Sequence, residues 1–276
     1  MNIGSKIKWH SEQLIRKVIT RFDLDVFHAS LKAVGFDNGP TLADSGEEYF
    51  IKHVLPHIIH DNKAVFFDVG AHIGSYALIL ERSFENAALC CFEPNPRIFP
   101  KLKENIRGTH IKAFPSALGA SVGKHTLFYS EEVTINDHSQ LASANKDVFP
   151  LFYGVDTFET IECSADTVDN FCMKNNIDHI HFMKIDTEGN ELDVIKGAGA
   201  MLAAGKIDVI QFEFNQTHIL NRTFMRDFSD LLPEFDLFRI CKKRLLYLEP
   251  KSRYNELFTY QNIVAIHKRL GYIQAS

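Results

Sequence analysis

Residues 64–80 read AVFFDVGAHIGSYALIL, which has the pattern of a strand, a glycine-rich turn and a helix. Residues 65–67 form a short run of β-favouring residues, as in a buried parallel strand that ends near Asp68. Apolar residues return at helical spacing after Gly74. Glycine allows a sharp turn close to a ligand, and the first amides of the new helix are free to bind it. The stretch therefore predicts a ligand-binding turn.

The composition is that of a globular protein with one large core: the chain has 276 residues, of which 45% are hydrophobic and 24% charged. A net charge of -5 gives no global reason to expect nucleic-acid binding. The five cysteines lack metal-ligand spacing, which favours reduced thiols and a cytoplasmic location. We expect no membrane span, because no apolar segment approaches the roughly 20 residues that a span requires.

The first 60 residues have the pattern of a helical extension. Apolar residues recur at helical spacing over 14–22, with basic residues between them, and again over 50–59, where Pro56 is expected to disturb the helix. We expect the first of these helices to dock on the main domain or on a second subunit, giving a homo-oligomer. A basic amphipathic helix on an anionic membrane is the less favoured alternative.

Two patterns mimic other sites and are set aside. Three histidines of the second helical stretch have metal-like spacing, but only Asp61 follows as a further ligand, so we predict a solvated helix face and no metal site. These are His53, His57 and His60. The segment Gly119–His125 resembles a phosphate-binding loop, but it is one residue short and has histidine where a hydroxyl should hold magnesium.

From residue 61 onward, strand and helix patterns alternate, which predicts one α/β domain over 61–276 with a mostly parallel sheet covered by helices on both faces. The predicted strands are 65–69, 88–92, 110–114, 180–185, 207–213, 235–240 and 261–267. The predicted helices lie near 75–83, 96–106, 167–175, 189–197 and 217–231. Between 120 and 163 a strand-like KHTLFYS precedes a polar, irregular segment, which we predict to be a substrate-side insertion.

Acidic residues end three of the predicted strands. Asp68 ends the first strand, Glu93 the second and Asp186 the fourth, and the carboxyl ends of parallel strands meet at the edge where open α/β folds bind ligands. Gly70 and Gly74 are four residues apart, so the three-glycine dinucleotide fingerprint is absent. An acid at the second strand end suits a ribose, and the set favours a nucleoside that carries an amino acid. S-adenosylmethionine fits this description.

The groups of S-adenosylmethionine assign the candidate cofactor residues. We expect its α-amino group near Asp68, its carboxylate on the amides of residues 70–75 and its ribose on Glu93. A small-residue turn, FPSALG at 114–119, is suited to lie along an adenine edge. The predicted cofactor-binding residues are Asp68, Gly70, His72, Gly74, Ser75, Glu93, Pro94, Ser116, Ala117 and Asp186.

These motifs resemble those of the FkbM-type S-adenosylmethionine-dependent methyltransferases. The resemblance covers residues 45–267 and rests on FFDVGAHIGSYAL, CFEPNP, SALG, MKIDTEGNELDVIKGA, QFEFN and NIVAIHK. The block at 184–198 is the most specific, since the family pattern there is K-x-D-x-E-G-x-E. The resemblance implies a Rossmann-like class I methyltransferase fold with seven strands in the order 3-2-1-4-5-7-6, the last antiparallel. It also implies O-methylation of sugars or small metabolites.

Methyl transfer requires that the acceptor be aligned and that its proton be removed. The candidate bases are Asp186, Glu188 and Glu213, and Asn215 and His218 are placed to orient a hydroxyl. The structural alternative for Glu188 is an acid in a first helical turn, stabilised by the helix dipole. A divalent metal bridging Asp186 and Glu213 is a variant for which no further ligand is evident, so we predict no metal.

Two other functions stay open at this point. A nicotinamide-dependent oxidoreductase shares the alternation of strands and helices but needs the missing fingerprint. A non-catalytic module would bind the cofactor without turnover. We expect a saccharide or another small molecule as the acceptor, which aromatic residues of the irregular segment could contact. These are Phe149, Phe152 and Tyr153.

Overall fold

The computed structural model describes residues 14, 17–21, 25–39, 41–135 and 139–272. The strands are β1 Val65–Val69, β2 Ala88–Phe92, β3 Lys112–Phe114, β4 Ser116–Leu118, β5 Gly123–Ile135, β6 Ser139–Ser143, β7 Glu159–Asp166, β8 Ile180–Ile185, β9 Ile207–Phe214, β10 Phe235–Cys241, β11 Arg244–Tyr247 and β12 Gln261–His267. The α-helices are Val26–Ala33, Leu42–Ser45, Glu47–Tyr49, Ser75–Ser83, Phe99–Asn105, Val168–Asn175, Glu191–Lys196, Gly199–Ala203, Thr217–Asn221 and Met225–Leu231. Phe50–Val54 and Phe149–Tyr153 are π-helical, and Leu55–His57, Arg253–Asn255 and Lys268–Leu270 are 3₁₀ turns.

Eight of the described strands form the main sheet, in the order β3-β2-β1-β8-β9-β12-β10-β11. Its central pairs are parallel, and β12 lies antiparallel between β9 and β10. The first seven strands of this order correspond to 3-2-1-4-5-7-6, so the predicted fold is confirmed. The predicted count of seven strands is wrong by one, because Arg244–Tyr247 folds back on β10 as a hairpin.

The main sheet is buried on both faces because adjacent residues of a strand enter different core clusters. Phe66 and Phe182 pack with apolar residues of the helix Ser75–Ser83 on one face. Phe67 packs with residues of the helix Val168–Asn175 on the other face. This arrangement explains the continuous apolar runs of β1 and β8, which are typical of a parallel sheet covered by helices.

Residues 42–59 pack against the same sheet. Phe50, Ile51 and Leu55 are fully buried in the cluster that contains Phe66. The chain tightens into a 3₁₀ turn at Pro56, as predicted. The helix predicted over 14–22 lies only partly within the described residues, of which 17–21 are helical. The division of the chain at residue 60 stays a prediction.

The segment predicted to be irregular forms a second sheet. The described strands of this sheet have the order β4-β7-β5-β6, and β5 pairs antiparallel with β7 from Gly123↔Ala165 to Tyr129↔Glu159. The prediction is wrong because β5 extends to Ile135 and pairs with β6, which follows it, as well as with β7, which lies far along the chain where local sequence patterns do not reveal it. The predicted helix 217–231 is likewise two helices, since Arg222 adopts φ 52 between them.

All five cysteines lie within the described residues and are free thiols, as expected. No helix in the described ranges is long and apolar enough to cross a lipid bilayer.

Gly70 brings the loop after β1 against the loop after β8. A Cβ added to Gly70, which has φ +81, would lie 1.7 Å from the carbonyl oxygen of Asp186. We expect Gly70→Ala to lower the free energy of unfolding by more than about 2 kcal/mol, because it combines a left-handed backbone with a backbone clash. Urea denaturation measures this loss.

Gly108→Ala is the matched control for this variant. Gly108 has φ +84, but an added Cβ has nothing within 4 Å. We expect a loss of about 1 kcal/mol, the conformational cost alone. Equal losses in the two variants would contradict the importance of the contact with Asp186.

Candidate active site

A cleft of about 600 Å³ opens at the carboxyl edge of the main sheet. It lies next to β1 and β8, where the strand order reverses, which is the usual ligand position in open α/β folds. Its walls come from the loops after β1, β2, β8 and β9. The second sheet contributes His125 and Leu127, and the N-terminal region contributes Leu42 and Glu47.

Most of the predicted site residues line this cleft. Those in the lining are Gly70, His72, Glu93, Pro94, Ala117, Asp186, Glu188 and Glu213. The others are Asp68, Gly74, Ser75 and Ser116. Asp68 is only 2% exposed and lies behind the cleft wall. Gly74 is explained by packing, because a Cβ at this position would lie 2.8 Å from the side chain of Leu102. The cofactor role of these residues, and the catalytic role of Glu188 and Glu213, stay predictions.

Glu93 holds the glycine-rich turn against the second strand. Its Oε2 accepts a hydrogen bond from the backbone N–H of His72 at 2.9 Å, and its Oε1 accepts one from the N–H of Asn95 at 2.8 Å. Burial raises the pKa of Glu93 to about 7, although these two donors oppose the shift. A carboxylate oxygen can accept more than one hydrogen bond, so Glu93 can still receive two hydroxyl groups of a ligand.

Lys184 is a buried cation at the centre of the acidic edge. Its Nζ lies 2.9 Å from Oδ2 of Asp186 and 4.8 Å from the ring centroid of Tyr76. Burial opposes the ammonium charge, but Asp186, Asp68 and Glu47 more than offset it and raise the pKa of Lys184. Burial also opposes ionisation of Asp186, yet the Lys184 ammonium holds the pKa of Asp186 below its usual range.

The pKa values of the other two candidate bases, Glu188 and Glu213, are raised. Burial and the charges of Asp186 and Glu191 raise the pKa of Glu188 to about 8. Burial, together with Asp186 and Glu188, raises the pKa of Glu213 well above its usual range, against a hydrogen bond from Asn215. The cleft therefore combines Asp186, whose ionised form is favoured, with Glu188 and Glu213, whose charged forms are disfavoured.

The backbone of Glu188 is in the left-handed region, with φ 56. Such a conformation is uncommon outside glycine and is found preferentially at functional sites. A helical first turn, the structural alternative for Glu188, is not formed, because the helix begins at Glu191.

The N-terminal region reaches the cleft through a chain of buried hydrogen bonds. Ser45 donates to Oε2 of Glu47 at 2.7 Å, and Gln211 donates to Oε1 of Glu47 at 2.7 Å. The hydroxyl of Tyr76 donates to Gln211 at 2.6 Å. Since the Tyr76 ring also contacts Lys184, residues before position 60 help to fix the buried cation. No sequence pattern predicts this series of hydrogen bonds.

Three lining side chains carry buried polar atoms with no hydrogen-bond partner among the described residues. They are Nε2 of His72, Nδ2 of Asn95 and Nε2 of His125. Asn95 is oriented by Arg97, whose N–H donates to Oδ1 of Asn95 at 3.0 Å and leaves Nδ2 free. Buried polar atoms normally have partners, so these three indicate a polar ligand. Only His72 was predicted; the position of Asn95 in CFEPNP was a usable signal, whereas His125 had none.

The residues expected to contact the acceptor separate in the structure. Tyr153 and Asn215 line the cleft. Phe149 is fully buried in a separate small cluster, against which Phe152 packs. The expectation that His218 orients a hydroxyl is wrong, because its ring is fully buried behind the cleft wall.

In the described part of the chain, one group of three side chains has possible metal-ligating atoms within 4.8 Å of one another: His179, His181 and Asp208. It lies at the amino edge of the sheet, away from the cleft. Nδ1 of His181 accepts the N–H of Val65 at 3.0 Å, so Nε2 carries the ring proton and cannot bind a metal. Arg269 also pairs with Asp208. This geometry argues against a metal here.

The strand order and the cleft at its switch point are those of a Rossmann-like methyltransferase. Residues 68–271 match the family described as the Methyltransferase FkbM domain. The chain belongs to this family.

Two curated relatives are methyltransferases. The chain is 27% identical over 153 residues to the hexuronic acid methyltransferase AglP of Haloferax volcanii, which covers 55% of this chain and 56% of that protein. It is 26% identical over 178 residues to the 2-O-methyltransferase NoeI of Sinorhizobium fredii, which covers 63% of this chain and 72% of that protein. The chain thus spans little more than half the length of the first relative.

Among solved structures, the methyltransferase FkbM from Methylobacillus flagellatus is 13% identical, with a TM-score of 0.45. The similarity covers 81% of this chain and 50% of that one.

The raised pKa of Glu93 predicts how the stability of the protein depends on pH. Because burial raises the pKa of Glu93 from 4.5 to about 7, the folded state binds a proton that the unfolded state has lost over this range. The contribution of Glu93 to stability therefore falls as pH rises from about 4.5 to about 7. Glu93→Gln does not titrate, so we expect wild type to lose stability relative to this variant over that range. Urea denaturation at a series of pH values measures the difference, and a constant difference would contradict the assignment.

Proposed function

We propose that the protein is an S-adenosylmethionine-dependent O-methyltransferase acting on a hydroxyl of a saccharide or a related small molecule. Membership of the FkbM family supports methyl transfer. The observation that carries the proposal is the presence of Gly70, Glu93 and Asp186 in the lining of one cleft, at the point where the strand order reverses.

The lining fits this cofactor in its polar groups and its charge. The unpartnered atoms of His72, Asn95 and His125 need polar partners, which a nucleoside and an amino-acid group supply. Glu93 can accept both hydroxyls of a ribose, and the ionised Asp186 suits a cationic group. When bound, the cofactor supplies a methyl group on a positively charged sulfur.

The names of two relatives bear on the acceptor. One is a hexuronic acid methyltransferase and another is a 2-O-methyltransferase, which favours a saccharide hydroxyl for this chain. Tyr153, Phe258 and Tyr260 line the cleft. The charges of Glu188 and Glu213 act on Tyr153, and that of Glu213 acts on Tyr260. Aromatic rings with a polar tip are suited to bind a sugar, which has both apolar faces and hydroxyls.

Glu188 is the best candidate for the base. Asp186 is a weak base because Lys184 lowers its pKa, whereas burial raises the pKa of Glu213 well above its usual range and disfavours the charged form that a base requires. Glu188, with a pKa of about 8, is near the value that favours proton transfer at neutral pH. In this assignment Glu188 would accept the proton of the acceptor hydroxyl as the methyl group passes to the hydroxyl oxygen from the cationic sulfur, which would leave as a neutral thioether.

Calorimetric titration with S-adenosylhomocysteine and with NADH tests the cofactor. We expect micromolar binding of S-adenosylhomocysteine and a loss of affinity of tenfold or more in Glu93→Ala, because the ribose acceptor and the support of the turn are both removed. Glu162→Ala, on the exposed face of β7, is the control and should bind normally. Binding of NADH alone would instead favour the oxidoreductase, and binding of the cofactor product without turnover on any acceptor would favour the non-catalytic module.

Turnover tests the base. With labelled S-adenosylmethionine and methyl glycosides of neutral sugars and hexuronic acids, we expect Glu188→Gln to lower turnover by about 10²- to 10⁴-fold and to leave the Kd of S-adenosylhomocysteine within about threefold. Because the base must be ionised, the wild-type rate should rise with pH and level off at or below about 8, and this rise should be absent in the variant. Full turnover by Glu188→Gln would remove Glu188 as the base.

A further inference from the structure

We propose that Glu191 and His218 form a buried positioning pair that holds Glu188 and the loop after β9 in the geometry that methyl transfer requires. The inference rests on the proposed function, in which Glu188 accepts the proton. Glu191 and His218 are both fully buried, and neither belongs to the cleft lining. They act on the cleft only through the residues that they hold.

Glu191 binds the backbone on both sides of Glu188. Its Oε1 accepts hydrogen bonds from the N–H of Thr187 at 2.7 Å and from the hydroxyl of Thr187 at 3.0 Å. Its Oε2 accepts a hydrogen bond from the N–H of Gly189 at 3.0 Å. Glu188 lies between these two contacts, with φ 56, and Gly189 follows with φ 103. A single carboxylate thus fixes the left-handed turn that carries the candidate base.

Packing against the helix Thr217–Asn221 reinforces this turn. A Cβ added to Gly189 would lie 2.8 Å from Oγ1 of Thr217, and Nδ2 of Asn221 donates to the carbonyl of Gly189 at 2.7 Å. The turn therefore has little room to relax, and the strained backbone of Glu188 is determined by its surroundings.

His218 connects Glu191 to the second loop. Nδ1 of His218 accepts the backbone N–H of Asn215 at 3.3 Å, which places the ring proton on Nε2. Nε2 lies 3.0 Å from Oε2 of Glu191, although this N–H is not aligned for a regular hydrogen bond. Asn215 in turn donates to Glu213. The pair therefore links the loop that carries Glu188 to the loop that carries Glu213.

The charge of Glu191 also acts on the candidate base. Glu191 is one of the negative charges that, after burial, raise the pKa of Glu188. The titratable groups that face Glu188 are Asp186 and Glu191 on its own segment, Lys184 on β8, Glu213 on β9 and Tyr153 beside the cleft. Removing the charge of Glu191 should therefore lower the pKa of Glu188. A purely structural role of Glu191 would not change this titration.

Glu191→Gln tests the proposal, because it keeps the size of the side chain and removes its charge and one acceptor. We expect turnover on the methyl glycosides to fall about 10- to 100-fold, while the Kd of S-adenosylhomocysteine stays within about threefold. In a ¹³C NMR titration of glutamate Cδ, with Glu188 assigned through Glu188→Gln, we expect the midpoint of Glu188 to move to lower pH.

Asp208→Asn is the matched control, at the opposite edge of the same sheet. Nε2 of His179 lies 3.0 Å from Oδ2 of Asp208, so this is a second contact between a histidine and a carboxylate, remote from the cleft. We expect it to leave turnover per folded molecule and the Glu188 titration unchanged. If Glu191→Gln fails to fold, His218→Gln is the second variant. It keeps an N–H toward Glu191 but no longer accepts the N–H of Asn215, and it should lower turnover with the Glu188 titration retained.

Two results would overturn the proposal: full turnover by Glu191→Gln, or a Glu188 titration that is the same in Glu191→Gln as in wild type. If His218→Gln is the variant used, full turnover by that variant has the same meaning. Failure of the proposed function looks different. A wild-type protein that does not bind S-adenosylhomocysteine, or that methylates none of the glycosides, contradicts the proposed function, while the Glu188 titration still decides whether Glu191 positions this side chain.

Discussion

The arrangement of the acidic edge depends on one buried ammonium group, that of Lys184. Buried charges are tolerated only when other charges and hydrogen bonds compensate for lost hydration. Lys184 is 6% exposed and interacts with Asp186, Asp68 and Glu47, which come from β8, β1 and the N-terminal region. The ring of Tyr76 covers it from the helix after the glycine-rich turn. Four separate parts of the chain thus meet at this cation, and its charge holds the pKa of Asp186 below its usual range.

Most of the main sheet could be predicted because its strands are apolar on both faces and their length is short, which are local properties. The order of the strands came from the family pattern rather than from periodicity. The second sheet could not be predicted, because β5 has a polar exposed face and pairs with β7, which follows after an intervening turn and β6. The break between the two helices at Arg222 was not predicted, because a left-handed backbone is usually marked by glycine and here the residue is arginine.

Site residues could be predicted where an acidic residue stands at the end of a predicted strand. Glu93 and Asp186 reach the cleft because the carboxyl ends of parallel strands share one edge. Asp68 has the same position along its strand, yet its side chain is buried and does not line the cleft. Side-chain direction alternates along a strand, so a strand end alone does not determine which wall a residue faces. The contact between Glu191 and His218 was not predicted, because it depends on how two loops pack, which no local pattern records.

The charge distribution of the cleft agrees with the proposed reaction. Transfer of a methyl group from a cationic sulfur to a hydroxyl removes one positive charge, and the base that accepts the proton loses one negative charge. A cation next to Glu188 favours its ionised form, so the raised pKa of Glu188 should fall when the cofactor is present and the base should be ionised when it is needed. Asp186 is already paired with Lys184, at 2.9 Å. Loss of the two opposite charges within a buried cleft is favourable, because separated charges are costly where hydration is limited.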